Sequence, residues 1–133
     1  KSVPTDSALF GSTVYPVLTQ YCSRCHSSGA TTPQSPFFAE GDVDVAYAAV
    51  RAKINLDSPD QSRLVVRLRQ EFHNCWTDCG AAANVMQGAI EDFADGVPLT
   101  QVDPDLVLSK ALTLYDGTVA SGGNRFDNAA IAL

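Results

Sequence analysis

Two cysteines separated by two residues and followed at once by a histidine, Cys22-Ser23-Arg24-Cys25-His26, constrain this chain more than any other feature. The spacing lets both sulfurs reach the same edge of a flat ligand within one turn, and the next residue then stands under the ligand's centre. This is the geometry of covalent haem attachment: two thioethers to the vinyl groups, and an imidazole as fifth ligand of the iron. Cys22, Cys25 and His26 are therefore assigned to haem c, and the core has to form around a porphyrin. Two other sites use a Cys-x-x-Cys pair. A thioredoxin-like dithiol expects a hydrophobic strand before it and a βαβ pattern around it, whereas an amphipathic helix precedes this pair. A zinc knot would recruit His73, Cys75 and Cys79, but Cys-x-x-x-Cys is not its usual second half.

The remaining cysteines, Cys75 and Cys79, have no histidine after them and do a different job. If the first pair is consumed by thioethers, the second can close a disulfide and leave no orphan thiol, which suits an exported, oxidising location, periplasmic or extracellular. Two buried free thiols are the alternative. A length of 133 residues with 45% hydrophobic content is enough for one core. No run of about 18 apolar residues offers a membrane span, and Lys1 to Ser7 lacks the apolar core of a signal peptide. The expectation is a soluble, monomeric domain cut from something longer. Fifteen acidic against nine basic residues give a net charge of −6. That argues against nucleic acid and anionic membrane as partners and favours a basic or neutral docking patch on a protein partner.

Apolar periodicity is helical along most of the chain. Phe10, Val14, Val17 and Tyr21 form a stripe that ends at the motif, with Pro16 expected to kink or divide the helix near Ser12 to Pro16. Ser27 to Gly41 reads as a loop anchored by Phe37 and Phe38. Asp42 caps a helix whose face is Val43, Tyr47, Val50 and Ile54. Ser58-Pro59-Asp60-Gln61 carries the signature of a helix start, with Leu64, Val65, Leu68 and Phe72 on the buried side. Arg63, Arg67 and Arg69 then face solvent or an anionic group. A turn from His73 to Gly80 precedes a helix bearing Ala82, Met86, Ile90 and Phe93, stopped by Gly96 and Pro98. Beyond it, Val102-Asp103-Pro104 opens a short helix, and Ser109 to Leu114 with Thr118 to Ala120 suggest a small β-hairpin about Asp116-Gly117. Residues 1–120 form the expected haem domain and 121–133 a linker-like tail towards an absent neighbour.

A low-spin iron needs a sixth ligand. Met86, the sole methionine, projects from a helix rich in small alanines and is the first candidate; His73, in a loop that can fold over the ring, is the alternative. The third possibility is an open position, as in a haem enzyme or a gas or redox sensor. Phe37, Phe38, Tyr47 and Trp76 are expected to pack around the haem and exclude water.

These residues resemble a known group, the monohaem c-type cytochrome modules of multimodular secreted proteins from polysaccharide-degrading bacteria. The resemblance is carried by Val14-Tyr15-Pro16-Val17-Leu18 leading into Tyr21 to His26, by Ser62 to Leu68, and by His73-Asn74-Cys75-Trp76 with Cys79 and Met86. It implies a mainly α, cytochrome c-like fold around one covalent haem, His26 and Met86 as iron ligands, and a disulfide between Cys75 and Cys79. It also implies one-electron transfer, not substrate turnover, towards an extracellular redox partner such as a copper-dependent lytic polysaccharide monooxygenase. The segment from Asn124-Arg125-Phe126-Asp127 to Leu133 is similar to the lead into a carbohydrate-binding neighbour.

Overall fold

Proline in the first turn of a helix sacrifices no helical hydrogen bond, whereas in the middle of one it does. The computed structural model, which describes residues 1–99, resolves the Pro16 conflict in this way. Ala8–Thr13 (α1) and Tyr15–Tyr21 (α2) are separate helices that meet at Val14, with Pro16 in the first turn of α2. The buried stripe is Phe10, Val14 and Leu18, all at 0% exposure. Val17 and Tyr21 are only half-buried.

Asp42 caps Val43–Val50 (α3) as expected, its carboxylate accepting from the N–H groups of Asp44 and Val45. Ala46, Tyr47 and Val50 turn inward, and a 3₁₀ turn at Arg51–Lys53 follows. The start expected at Ser58 does not form. Pro59–Gln61 makes one 3₁₀ turn without a side-chain cap. Asn55 Oδ1 already takes the N–H groups of Asp57 and Ser58, and the buried Ser62 hydroxyl accepts from the Asn55 N–H at 2.8 Å. The next helix, Arg63–Arg69 (α4), therefore starts after Ser62.

Leu64, Val65 and Leu68 are the buried face of α4. Phe72 is not part of it: the helix has ended, the backbone at Phe72 turns to φ 53, and the ring is 70% exposed. The last described helix, Cys79–Gly96 (α5), starts inside the expected turn because Asp78 accepts from the Ala81 N–H at 3.0 Å and caps it. Ala82, Met86, Ile90 and Phe93 are buried as their spacing predicts.

Lys1–Leu99 form one compact unit. α5 packs along α4 and also meets α1 and α2. Phe10 ties the layers together, its ring centroid 4.9 Å from Tyr47 and 6.4 Å from Phe93. Each such buried side chain contributes roughly 1.5–3 kcal/mol. A side chain at Gly96 would come within 2.7 Å of a Leu9 methyl, which would have to turn aside. The described residues are mainly helical and contain no strand, and none of their helices is long and apolar enough to cross a membrane. The helix expected at Val102, the hairpin, the tail and the boundary after residue 120 lie outside the described residues.

Candidate functional site

The motif continues α2 by one turn. The N–H groups of Cys25 and His26 both bond to the Cys22 carbonyl, at 3.2 and 2.8 Å, so residues 22, 25 and 26 share a side. That side lines a cavity of about 390 Å³, within the range of roughly 300–1,000 Å³ usual for cofactor sites. Phe38, His73, Trp76 and Met86 line the same cavity. The structure does not bring Phe37 or Tyr47 there. Phe37 is half-buried away from the lining. Tyr47 belongs to the aromatic core with Phe10 and Phe93, and its hydroxyl donates to the Pro4 carbonyl.

The loop after the motif folds back over it. The Gln34 N–H bonds to the Cys25 carbonyl at 2.6 Å and the Ala39 N–H to the His26 carbonyl at 3.0 Å. Phe38 thereby stacks on the His26 ring, 4.2 Å between centroids. Pro36 places its carbonyl oxygen 2.9 Å from His26 Nδ1. A carbonyl only accepts, so Nδ1 carries a proton, and in the neutral ring the lone pair is on Nε2. Further along, Glu40 receives the N–H and hydroxyl of Ser28 at 2.7 and 2.6 Å, and these bonds hold its carboxyl below the usual range.

Cys22 and Cys25 are free, half-buried thiols. Burial, and then the neighbouring Cys25, push Cys22 up to about 11. A dithiol built for exchange needs the opposite shift, towards the thiolate.

The facing group of residues comes from the end of α4 and the start of α5. His73 sits between two residues with left-handed backbone, Phe72 at φ 53 and Asn74 at φ 47, a conformation rarely taken by a bulky residue unless its surroundings hold it. Its N–H bonds to the Arg67 carbonyl at 3.0 Å, and Arg67 Nη2 lies 2.8 Å from His73 Nδ1. A guanidinium only donates, so this Nδ1 is the acceptor and the proton is on Nε2. Burial, and then the charge of Arg67, lower the His73 pKa. Arg67 also donates to Glu71 at 2.9 Å, and Arg63 grips the same carboxylate with both terminal nitrogens, at 2.6 and 3.0 Å, lowering the Glu71 pKa.

The Cys75 and Cys79 sulfurs stand at disulfide distance, 2.19 Å, closing the turn that leads into α5, two turns before Met86. Trp76 stacks on Tyr21 at 4.1 Å, joining this segment to the end of α2. With Cys75 and Cys79 joined, a zinc knot loses its second half. Among the described residues no group of three or more His, Cys, Asp or Glu side chains is placed to hold a metal ion.

Arg24, Lys53, Arg63 and Arg67 line the cavity, and no carboxylate does among the described residues. The solvated face read for Arg63 and Arg67 is thus one side of a cationic mouth on an acidic chain. Their i, i+4 spacing and the Glu71 that follows at the next i+4 position are the signal for it. No model of a known family matches the chain, and neither a curated protein nor a solved structure matches it.

Proposed function

We propose that the chain is a monohaem c-type cytochrome domain that passes single electrons. The carrying observation is the His26 to Pro36 hydrogen bond, because it takes up Nδ1 and leaves Nε2 as the nitrogen a neutral ring can offer to a metal, beside a cavity that His26 and two free thiols line. The donor set fits haem c. Cys22 and Cys25 would hold the porphyrin edge, His26 would bind the iron, and the arginines and Lys53 would face its two carboxylates. Haem supplies an iron that gains and loses one electron without exchange of substrate. The chain does the rest: Pro36 orients the imidazole, Phe38 packs it, and the stacked Tyr21 and Trp76 close one side of the cavity.

Met86 is the proposed sixth ligand. It is 1% exposed and yet lines the cavity, and a thioether there raises the potential. One observation favours His73 as a second reading: its ring lies on the same cavity, its centroid 6.2 Å from that of His26, so both imidazoles could reach one iron. The resemblance to secreted cytochrome modules points to a copper-dependent polysaccharide monooxygenase as electron acceptor. With the arginines and Lys53 facing the haem carboxylates and Arg63 and Arg67 paired with Glu71, the net charge of −6 still favours a basic or neutral docking patch on that partner.

The test is an absorption spectrum of protein produced in a host that attaches haem c, in both redox states. Haem that stays bound on denaturation, and is lost from Cys22→Ala/Cys25→Ala, is the expected result. A colourless protein overturns the reading. Rapid carbon monoxide binding by the wild type would instead favour a sensor or enzyme with an open sixth position. Stopped-flow oxidation of the reduced domain by a copper monooxygenase tests the partner, and no electron transfer would remove it.

A further inference from the structure

We propose that Arg67, anchored by Glu71, is a positioning residue that keeps His73 from becoming an iron ligand and so reserves the sixth position for Met86; this rests on the haem reading above. Position on the cavity does not separate the two candidates, since both line it. Protonation of the ring nitrogens does. Arg67 Nη2, a donor and nothing else, occupies the Nδ1 lone pair of His73 at 2.8 Å. The neutral ring then carries its proton on Nε2. Neither nitrogen offers a lone pair to a metal: one is spent on the guanidinium and the other is an N–H. His26 is in the opposite state, because its Nδ1 faces a carbonyl.

Moving the His73 proton to Nδ1 would aim an N–H at the guanidinium N–H, so the lock opens only if Arg67 leaves. Arg67 is held in place by Glu71 at 2.9 Å, and Glu71 by both arms of Arg63. His73 is held as well, by its N–H bond to the Arg67 carbonyl, which closes the turn through Phe72.

Arg67→Leu removes the donor while keeping an apolar side chain on α4. In the haem-loaded protein the expected change is loss of the thioether-to-iron charge-transfer band, a bis-imidazole low-spin spectrum in its place, and a lower midpoint potential. His73→Ala in the same background should restore the thioether band, and Arg67→Lys, which can still donate, should keep it. If Arg67→Leu does not load haem, Glu71→Gln loosens the same guanidinium and should show the same change in part. A thioether band and potential unmoved in the loosened variant overturn the proposal. So does a wild type that already shows bis-imidazole ligation, although the haem reading then stands. A wild type without haem brings down both.

Discussion

The two histidines on the cavity are the same side chain in opposite states, and the elements that hold them differ in kind. His26 is set by main chain. Its Nδ1 meets the Pro36 carbonyl, its own carbonyl takes the Ala39 N–H, and its turn closes on Cys22. His73 is set largely by side chains: a guanidinium on its ring, a carboxylate behind the guanidinium, and a disulfide just beyond. Main-chain bonds hold under changes of pH, salt and redox state that dissolve ion pairs and disulfides. The side of the cavity that carries His26, called proximal here, is thus built to be constant, and the side that carries His73, called distal, can respond to conditions.

The largest effect that would test this difference is Phe38→Ala. The ring is 8% exposed and stacked on His26, so truncation leaves a cavity beside the histidine and costs about 3 kcal/mol. Urea unfolding measures it. A loss below about 1 kcal/mol would mean that the main-chain bonds hold the proximal side without this packing.

Next is loss of the Cys75–Cys79 bond, by mild reduction or by Cys75→Ser/Cys79→Ser. A loop this short stabilises by roughly 2 kcal/mol through the unfolded chain. The same unfolding curves give the global loss, and hydrogen exchange locates it. Protection should fall in Phe72 to Ala82 and stay unchanged in Cys22 to Ala39. Equal loss in both segments would break the comparison.

How far each part could be read from the sequence follows the same division. The Asp42 cap, the separation of helices at Pro16 and the inward face of α5 are local patterns, and each is found in the structure. The Ser58 signature misleads because Asn55, three residues upstream, takes the amide that a helix start would use, and Ser62 is tied down behind it. Phe72 fits the α4 period only if α4 continues, and no local signal shows that it stops at Arg69. Tyr47 fits equally well against a cofactor or against Phe10 and Phe93, and only the tertiary packing chooses. The tautomers of the two histidines were beyond reach, since Pro36 and Arg67 become their partners only once the loops have folded.

The smallest effect separates two carboxylates, Glu40 in the loop that folds back over His26 and Glu71 behind the guanidinium that holds His73. Both titrate below their usual range in the fold, Glu40 because Ser28 bonds to it and Glu71 because Arg63 and Arg67 do. A depressed carboxyl binds fewer protons in the native chain than in the unfolded one. The stability it adds is therefore complete above the ordinary glutamate pKa and is lost as pH falls through the lower, folded value. Glu40→Gln and Glu71→Gln should each flatten part of that acid loss, measured as the stability difference from wild type across pH. Salt distinguishes them. The partners of Glu71 are charged and lie near the surface, so its contribution should shrink as ionic strength rises, whereas Glu40 is held by neutral donors and should be indifferent. Matching salt dependence at the two sites would show that the distal side owes no more to its ion pairs than the proximal side does, and the guanidinium lock on His73 would then have to rest on the hydrogen bond alone.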